Sequence, residues 1–229
     1  GPVRVSGSAG TGKTIVAIHR AVRLANRNSD AQVLLTTFSK PLAQALTRKL
    51  EVLAEISGEA IDRVEVATLN QAAITLFTRW YRQPNLATSS QVRAAIADAR
   101  KAGLAERLTE SFLFEEWDEL VDAWGVDSSD EYARLPRIGR KTRLGSVQRE
   151  EAWAVFAFVR NRLADRGLIT LAQVYRSLCE GLATGRPTPF THIVVDEAQD
   201  LSVAQVRFLA AISKLRADAA FLCGDIGQR

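Results

Sequence analysis

Apolar positions along this chain follow two periods, and the order in which those periods alternate predicts its architecture. Val3-Arg4-Val5 is a short apolar run, followed by a helical pattern with Ile15, Ile18, Val22 and Ala25 on one face. Val33-Leu34-Leu35-Thr36-Thr37-Phe38 is apolar and turns polar at its C-terminal end. A strand buried on both faces of a parallel sheet has this character where it emerges at the ligand edge. Pro41 suits a first helical turn, and Leu42, Leu46, Leu50 and Leu53 then recur at helical spacing. A third strand near Val64-Glu65-Val66-Ala67-Thr68 leads into a helix carrying Ala73, Ile74, Phe77 and Trp80. Right-handed crossovers wind such an alternation into a parallel sheet with helices on both faces.

At Gln83-Pro84-Asn85 the alternation stops, and from there to about Arg166 the pattern is helical with no convincing strand. Leu113, Trp117, Leu120 and Trp124 fall at i, i+4, i+7 and i+11, a stripe broad enough to pack a small helical core. Trp153, Phe156 and Leu163 mark another helix, ended by Gly167. Tryptophans at this spacing read as core in preference to base-stacking platforms. Thr170 is placed to cap a helix through Leu171, Val174 and Leu178. The α/β alternation then resumes with the strand His192-Ile193-Val194-Val195, a helix capped by Ser202 and carrying Val206 and Leu209, and a last strand Ala220-Phe221-Leu222-Cys223. The expected organisation is one α/β domain over residues 1–84 and 167–229, interrupted by a helical insertion over 85–166.

The chemistry gathers where strands give way to loops. Gly7-Ser8-Ala9-Gly10-Thr11-Gly12-Lys13-Thr14 lies between the first strand and the first helix, the context a phosphate-binding loop needs. Its glycines let backbone N–H groups curl around phosphate oxygens, and the helix N-terminus adds partial positive charge. Lys13 would reach the β- and γ-phosphates of ATP, and the Thr14 hydroxyl would sit on Mg²⁺. Asp196 and Glu197 directly follow the fourth strand. Such acids often do no more than end strands and cap helices. With a phosphate loop in the same chain they read instead as a metal-holding aspartate and a water-activating glutamate. Gly224-Asp225-Ile226-Gly227-Gln228 ends the last strand, and an amide there can bond a γ-phosphate or its attacking water.

Composition narrows the setting. No apolar run approaches the length that crosses a bilayer and no secretory signal opens the chain, so no membrane partner is expected. Cys179 and Cys223 show neither paired nor metal-ligand spacing, and His19 and His192 gather no ligands, which points to a reducing, cytoplasmic setting. A net charge of +4 tilts weakly toward an anionic partner. The basic stretch Arg134-Leu135-Pro136-Arg137-Ile138-Gly139-Arg140-Lys141-Thr142-Arg143 holds no acid. It reads equally as a solvated loop or as a phosphate-backbone contact. With no methionine in 229 residues, the chain is expected to be a piece of a longer protein, or to have lost its methionines from the sequence as written.

Taken in order, the phosphate loop, Asp196-Glu197-Ala198-Gln199-Asp200 and Gly224-Asp225-Ile226-Gly227-Gln228 resemble motifs I, II and III of UvrD/Rep-type superfamily 1 DNA helicases. Thr37-Phe38-Ser39-Lys40 resembles motif Ia, the segment around Thr68 resembles the next DNA-facing motif, and the helical insertion matches the inserted subdomain of the first motor domain. The resemblance covers essentially the whole chain. It implies a RecA-like phosphate-loop fold and an ATP-driven motor on single-stranded DNA, typically 3′ to 5′, that separates duplex ahead of it. Lys13, Glu197 and Gln228 would be its catalytic groups, with Thr14 and Asp196 on Mg²⁺. Thr37, Phe38, Lys40, Thr68, Asn70, Arg137, Arg140, Lys141 and Arg143 would face DNA. Phe38 also reads as simple burial at a strand end, but base stacking is sequence-tolerant, as a motor requires.

Asn70 stands where many relatives have His. The adenine-reading glutamine segment and the second motor domain with its arginines are missing, so this chain alone is expected to hydrolyse ATP barely. A second motor domain of the same protein and repair or nuclease proteins are the partners the resemblance suggests. An ATP-gated DNA or protein switch, the motor half of a helicase-nuclease and an RNA motor are the rival readings.

Overall fold

A computed structural model of the chain describes residues 3–6, 12–27, 29–136, 143–216 and 218–225. Its packing divides into two compact units, Gly1–Tyr81 with Ser177–Arg229, and Arg82–Arg176.

The first unit is built on a parallel sheet of β1 (Val3–Ser6), β2 (Val33–Thr37), β3 (Val64–Thr68), β4 (His192–Val195) and β5 (Ala220–Gly224), in the order β1-β5-β4-β2-β3. Every residue of β2 and β4 is buried, which is why both strands read as unbroken apolar runs. β3 is an edge strand, and it carries Glu65 outward, a charge that discourages pairing with another chain. β2 and β3 pair from Val33 with Val64 to Thr37 with Thr68, and β2 and β4 from Val33 with His192 to Thr36 with Val195. Because all pairings are parallel, Ser6, Thr37, Thr68, Val195 and Gly224 end at one edge, where ligands of open α/β sheets bind.

Around this sheet the unit has α1 (Lys13–Arg27), α2 (Lys40–Ser57), α3 (Leu69–Trp80) and α9 (Val203–Ser213). Ala17, Ile18, Ala21, Val22, Leu24 and Ala25 of α1 pack with Leu46 and Leu50 of α2 on Val33, Leu35, Val194, Phe221 and Cys223. Three residues that the helical spacing assigns to buried faces are exposed: Ile15, Leu42 and Val206. Each lies in the first turn of a helix that starts beyond a strand's C-terminal end, where the sheet no longer offers a surface.

The second unit is helical, with α4 (Ser89–Lys101), α5 (Glu110–Glu116), a π-helical turn Trp117–Asp122, α6 (Ser129–Arg134) and α7 (Ser146–Asp165). Leu171–Ala183 forms α8, and the division between units falls within it. Leu113, Trp117, Val121, Tyr132, Phe156 and Val159 form the centre of its core. Leu113, Trp117 and Leu120 of the expected stripe are buried but Trp124 is exposed. A π-helical turn holds an extra residue, so the stripe loses phase and Val121 takes the inward position instead. The expected cap at Thr170 is present: its hydroxyl accepts from the Gln173 backbone N–H at 3.1 Å.

Candidate functional site

The first helix opens at Gly12, whose carbonyl accepts from the N–H groups of Ile15 and Val16 at 2.9 and 3.1 Å. Gly12 has φ +77, a left-handed backbone open to glycine at little cost, and an added Cβ would meet nothing within 4 Å. The requirement there is conformational rather than spatial. Lys13 and Thr14 follow as the first residues of α1, whose first turn holds no acid. Gly7, Ser8, Ala9, Gly10 and Thr11 lie outside the described residues.

Thr14 Oγ1 donates to Asp196 Oδ2 at 2.8 Å, a contact that closes 182 residues of sequence. Asp196 stands one residue past β4, buried, with its N–H on the carbonyl of Thr36 at 2.8 Å. Burial pushes its carboxyl above the usual range, the Thr14 hydrogen bond opposes that, and the neighbouring Glu197 adds to it. Burial pushes the Cys223 thiol on β5 up to about 11, with Asp196 raising it further and Lys13 lowering it. Asp196 and Lys13 each lie within electrostatic reach of Cys223. The buried thiol is inert at neutral pH.

Glu197 adopts φ 60 and ψ 48, left-handed backbone that costs an L-residue about 1–2 kcal/mol. Such strain persists where the surroundings over-determine it, and it clusters at functional positions. Two neighbours do so here. Gln199 Nε2 donates to Glu197 Oε2 at 2.5 Å, while Gln199 Oε1 accepts from the Asp225 N–H at 2.9 Å. At Gly224 an added Cβ would lie 2.8 Å from Gln199 Oε1 and 3.1 Å from the backbone nitrogens of Ala198 and Gln199. The end of β5 thus presses directly on the acidic turn. Gln228 lies outside the described residues.

Of the residues expected to face nucleic acid, the structure brings Thr37, Phe38 and Asn70 into one pocket with Thr36, Asp196, Glu197, Asp200 and Gln205. Phe38 is 60% exposed, so burial does not account for an aromatic there, whereas Thr37 is 2% exposed. Among the described residues, the buried hydroxyls of Thr36 and Thr37 have no hydrogen-bond partner. Thr68 is occupied as the N-cap of α3: its Oγ1 accepts from the Gln71 N–H at 3.2 Å and donates to Gln71 Oε1 at 2.9 Å. Lys40 is exposed at the start of α2, behind the cap Ser39. Arg143 is exposed in the helical unit, and Arg137, Arg140 and Lys141 lie outside the described residues.

Sequence reasoning passed over Gln199, Gly224 and Gln205 as site residues. Gln199 stood inside the acidic run, and Gln205 was legible only as the third helical residue after a Ser202 cap.

For a divalent ion, the Thr14 hydroxyl and the Asp196 carboxylate form a pair of hard oxygen donors, and a buried carboxyl with a raised pKa gains from a cation beside it. Among the described residues no group of three or more His, Cys, Asp or Glu gathers. The pair therefore suits an ion such as Mg²⁺, which is held by one or two carboxylates together with substrate phosphates.

Compared with known families, residues 1–229 match the model described as UvrD/REP helicase N-terminal domain. No curated protein matches the chain.

Proposed function

This chain belongs to the UvrD/REP helicase family as its N-terminal domain, and from that membership we propose that it is the first half of an ATP-driven motor moving on single-stranded DNA. The observation that carries the reading is the 2.8 Å bond from Thr14 to Asp196, which sets the start of the phosphate-loop helix against the acidic turn. In this reading the backbone of residues 7–13 cradles the phosphates and Lys13 neutralises their charge. Thr14 and Asp196 would hold Mg²⁺, which would supply neutralisation of phosphate charge.

Glu197 takes the proton from the attacking water as the new oxygen–phosphorus bond forms and the bond to the β-phosphate oxygen breaks. Gln199 donates to Glu197 Oε2 and so orients the carboxylate. Gln228 reports whether the γ-phosphate is present. Phe38 stacks on a base, with Thr37, Lys40, Thr68 and Asn70 along the strand and Arg137, Arg140, Lys141 and Arg143 on phosphates of the duplex or its single-stranded arm. Translocation runs 3′ to 5′, and a second motor domain provides the arginines that complete the phosphate site. The strained Glu197 favours this enzyme over an ATP-gated switch, because a switch has no use for a base held in a costly backbone.

The test is binding of a non-hydrolysable ATP analogue and of single-stranded DNA to the chain. The analogue should bind only with Mg²⁺ and lose at least tenfold in affinity on Lys13→Ala (about 1.4 kcal/mol). DNA affinity should fall steeply with salt. Analogue binding indifferent to both Mg²⁺ and Lys13 would remove the reading.

A further inference from the structure

Gln205 carries a second connection out of the acidic turn, to Asn70 of the same candidate pocket. The turn runs from Asp196 and Glu197 through a 3-10 turn at Ala198–Asp200 to Ser202, the N-cap of α9. Gln205 Oε1 accepts from the Ser202 N–H at 2.8 Å, and Gln205 Nε2 donates to Asn70 Oδ1 at 2.9 Å. The Ser202 N–H can only donate, so it fixes which end of the buried Gln205 amide faces Asn70. That in turn fixes which atom of Asn70 faces α9. Asn70 sits in the first turn of α3, two residues beyond Thr68, and lines the pocket with Phe38. Two segments 135 residues apart are thus joined side chain to side chain, one next to the carboxylates and one on the expected DNA face.

We propose that Gln205 is a positioning residue that couples the nucleotide site to the DNA face by tying the acidic turn to Asn70. The inference rests on the motor reading and specifies its wiring. A shift of the turn when nucleotide enters moves Ser202 and the start of α9. Because both ends of the Gln205 amide are held, that shift is passed to Asn70 instead of being lost in side-chain rotation. Coupling of this kind is reciprocal: whatever factor the analogue adds to DNA affinity, DNA must add to analogue affinity.

The experiment measures single-stranded DNA affinity of the chain with and without the Mg²⁺-bound analogue, and analogue affinity with and without DNA. The native chain should show a ratio of at least about fivefold, equal in both directions. Gln205→Met, which keeps the side chain's length and removes both bonds, should bring the ratio to about one. Asn70→Leu leaves the Gln205 oxygen on the Ser202 N–H and removes the acceptor that the other end of the amide reaches. It keeps the helix cap and should lose the coupling too, which separates the link from the fold should the Met variant fail to fold. A ratio unchanged in a folded variant, or a native ratio of one, overturns the coupling role while leaving the motor assignment standing. A native chain that binds neither analogue nor DNA overturns the motor reading itself, and this inference with it.

Discussion

At the scale of single residues, the site is held by close approaches that leave little tolerance. Gly224 is the sharpest. Replacing it with Ala sets a methyl 2.8 Å from the Gln199 oxygen and 3.1 Å from two backbone nitrogens, so the acidic turn has to move. Gly224→Ala is expected to lower stability by about 1–3 kcal/mol, read as a shift in the urea midpoint. It should weaken Mg²⁺-analogue binding as well, since the same turn carries Asp196 and Glu197. A variant that unfolds like the native chain and binds the analogue as tightly would show that the turn absorbs the methyl. The start of α1 after Gly12 and the acidic pair past β4 are legible in the sequence, because each packs its chemistry into consecutive residues. The left-handed backbone at Glu197 is not, since only contacts from Gln199 and β5 hold it, and those come from turns that the sequence does not show meeting.

Elements of the helical unit depend on polar side chains that reach across it. The short α6 ends against Arg149, which donates through Nη1 to the carbonyls of Tyr132 at 2.9 Å and Ala133 at 2.7 Å. Arg149→Leu removes those donors and is expected to cost about 1–3 kcal/mol, measured by chemical denaturation. At the end of the π-helical turn, burial raises the Asp122 carboxyl to about 6, against the Thr170 hydroxyl, which donates to it at 2.6 Å. Asp118 pushes the same way as burial, and Arg160 and Arg176 oppose it. The folded state therefore holds a proton that the unfolded chain has already released, and the associated stability is lost as pH rises from about 4 to about 6. Relative to Asp122→Asn, the native chain should lose about 3 kcal/mol across that interval and nothing further above it. Denaturation of both proteins at pH values spanning the interval checks this, and parallel profiles would contradict it. Doubly buried β2 and β4 were legible as continuous apolar runs, and the helical character of the insertion was legible from its stripe. The π-helical turn was not, because an inserted residue leaves no compositional mark, so the stripe was extended to Trp124 where Val121 packs instead.

At the scale of the whole molecule, the described residues gather chemistry and exposed apolar groups at the ligand edge of the sheet. Phosphate-loop helix, acidic turn and Phe38 pocket all open there, and Ile15, Val16, Phe38 and Leu42 are left exposed on the helices and loop that begin at it. In the proposed motor a second domain would cover exposed apolar side chains of this kind and would bring the arginines of the phosphate site. An arginine delivered from outside is worth about 10³–10⁵ in rate in related phosphoryl transfer. The chain by itself should therefore bind the analogue and yet turn ATP over slower than an intact helicase by a factor of that order. Joining it to a second motor domain should restore the rate, while the same joined protein carrying Glu197→Gln should bind nucleotide and DNA but hydrolyse almost nothing, since the amide cannot accept the water's proton. Steady-state hydrolysis by the isolated chain near that of an intact helicase would mean that the phosphate site is already complete within these residues, and the need for a covering domain would fall.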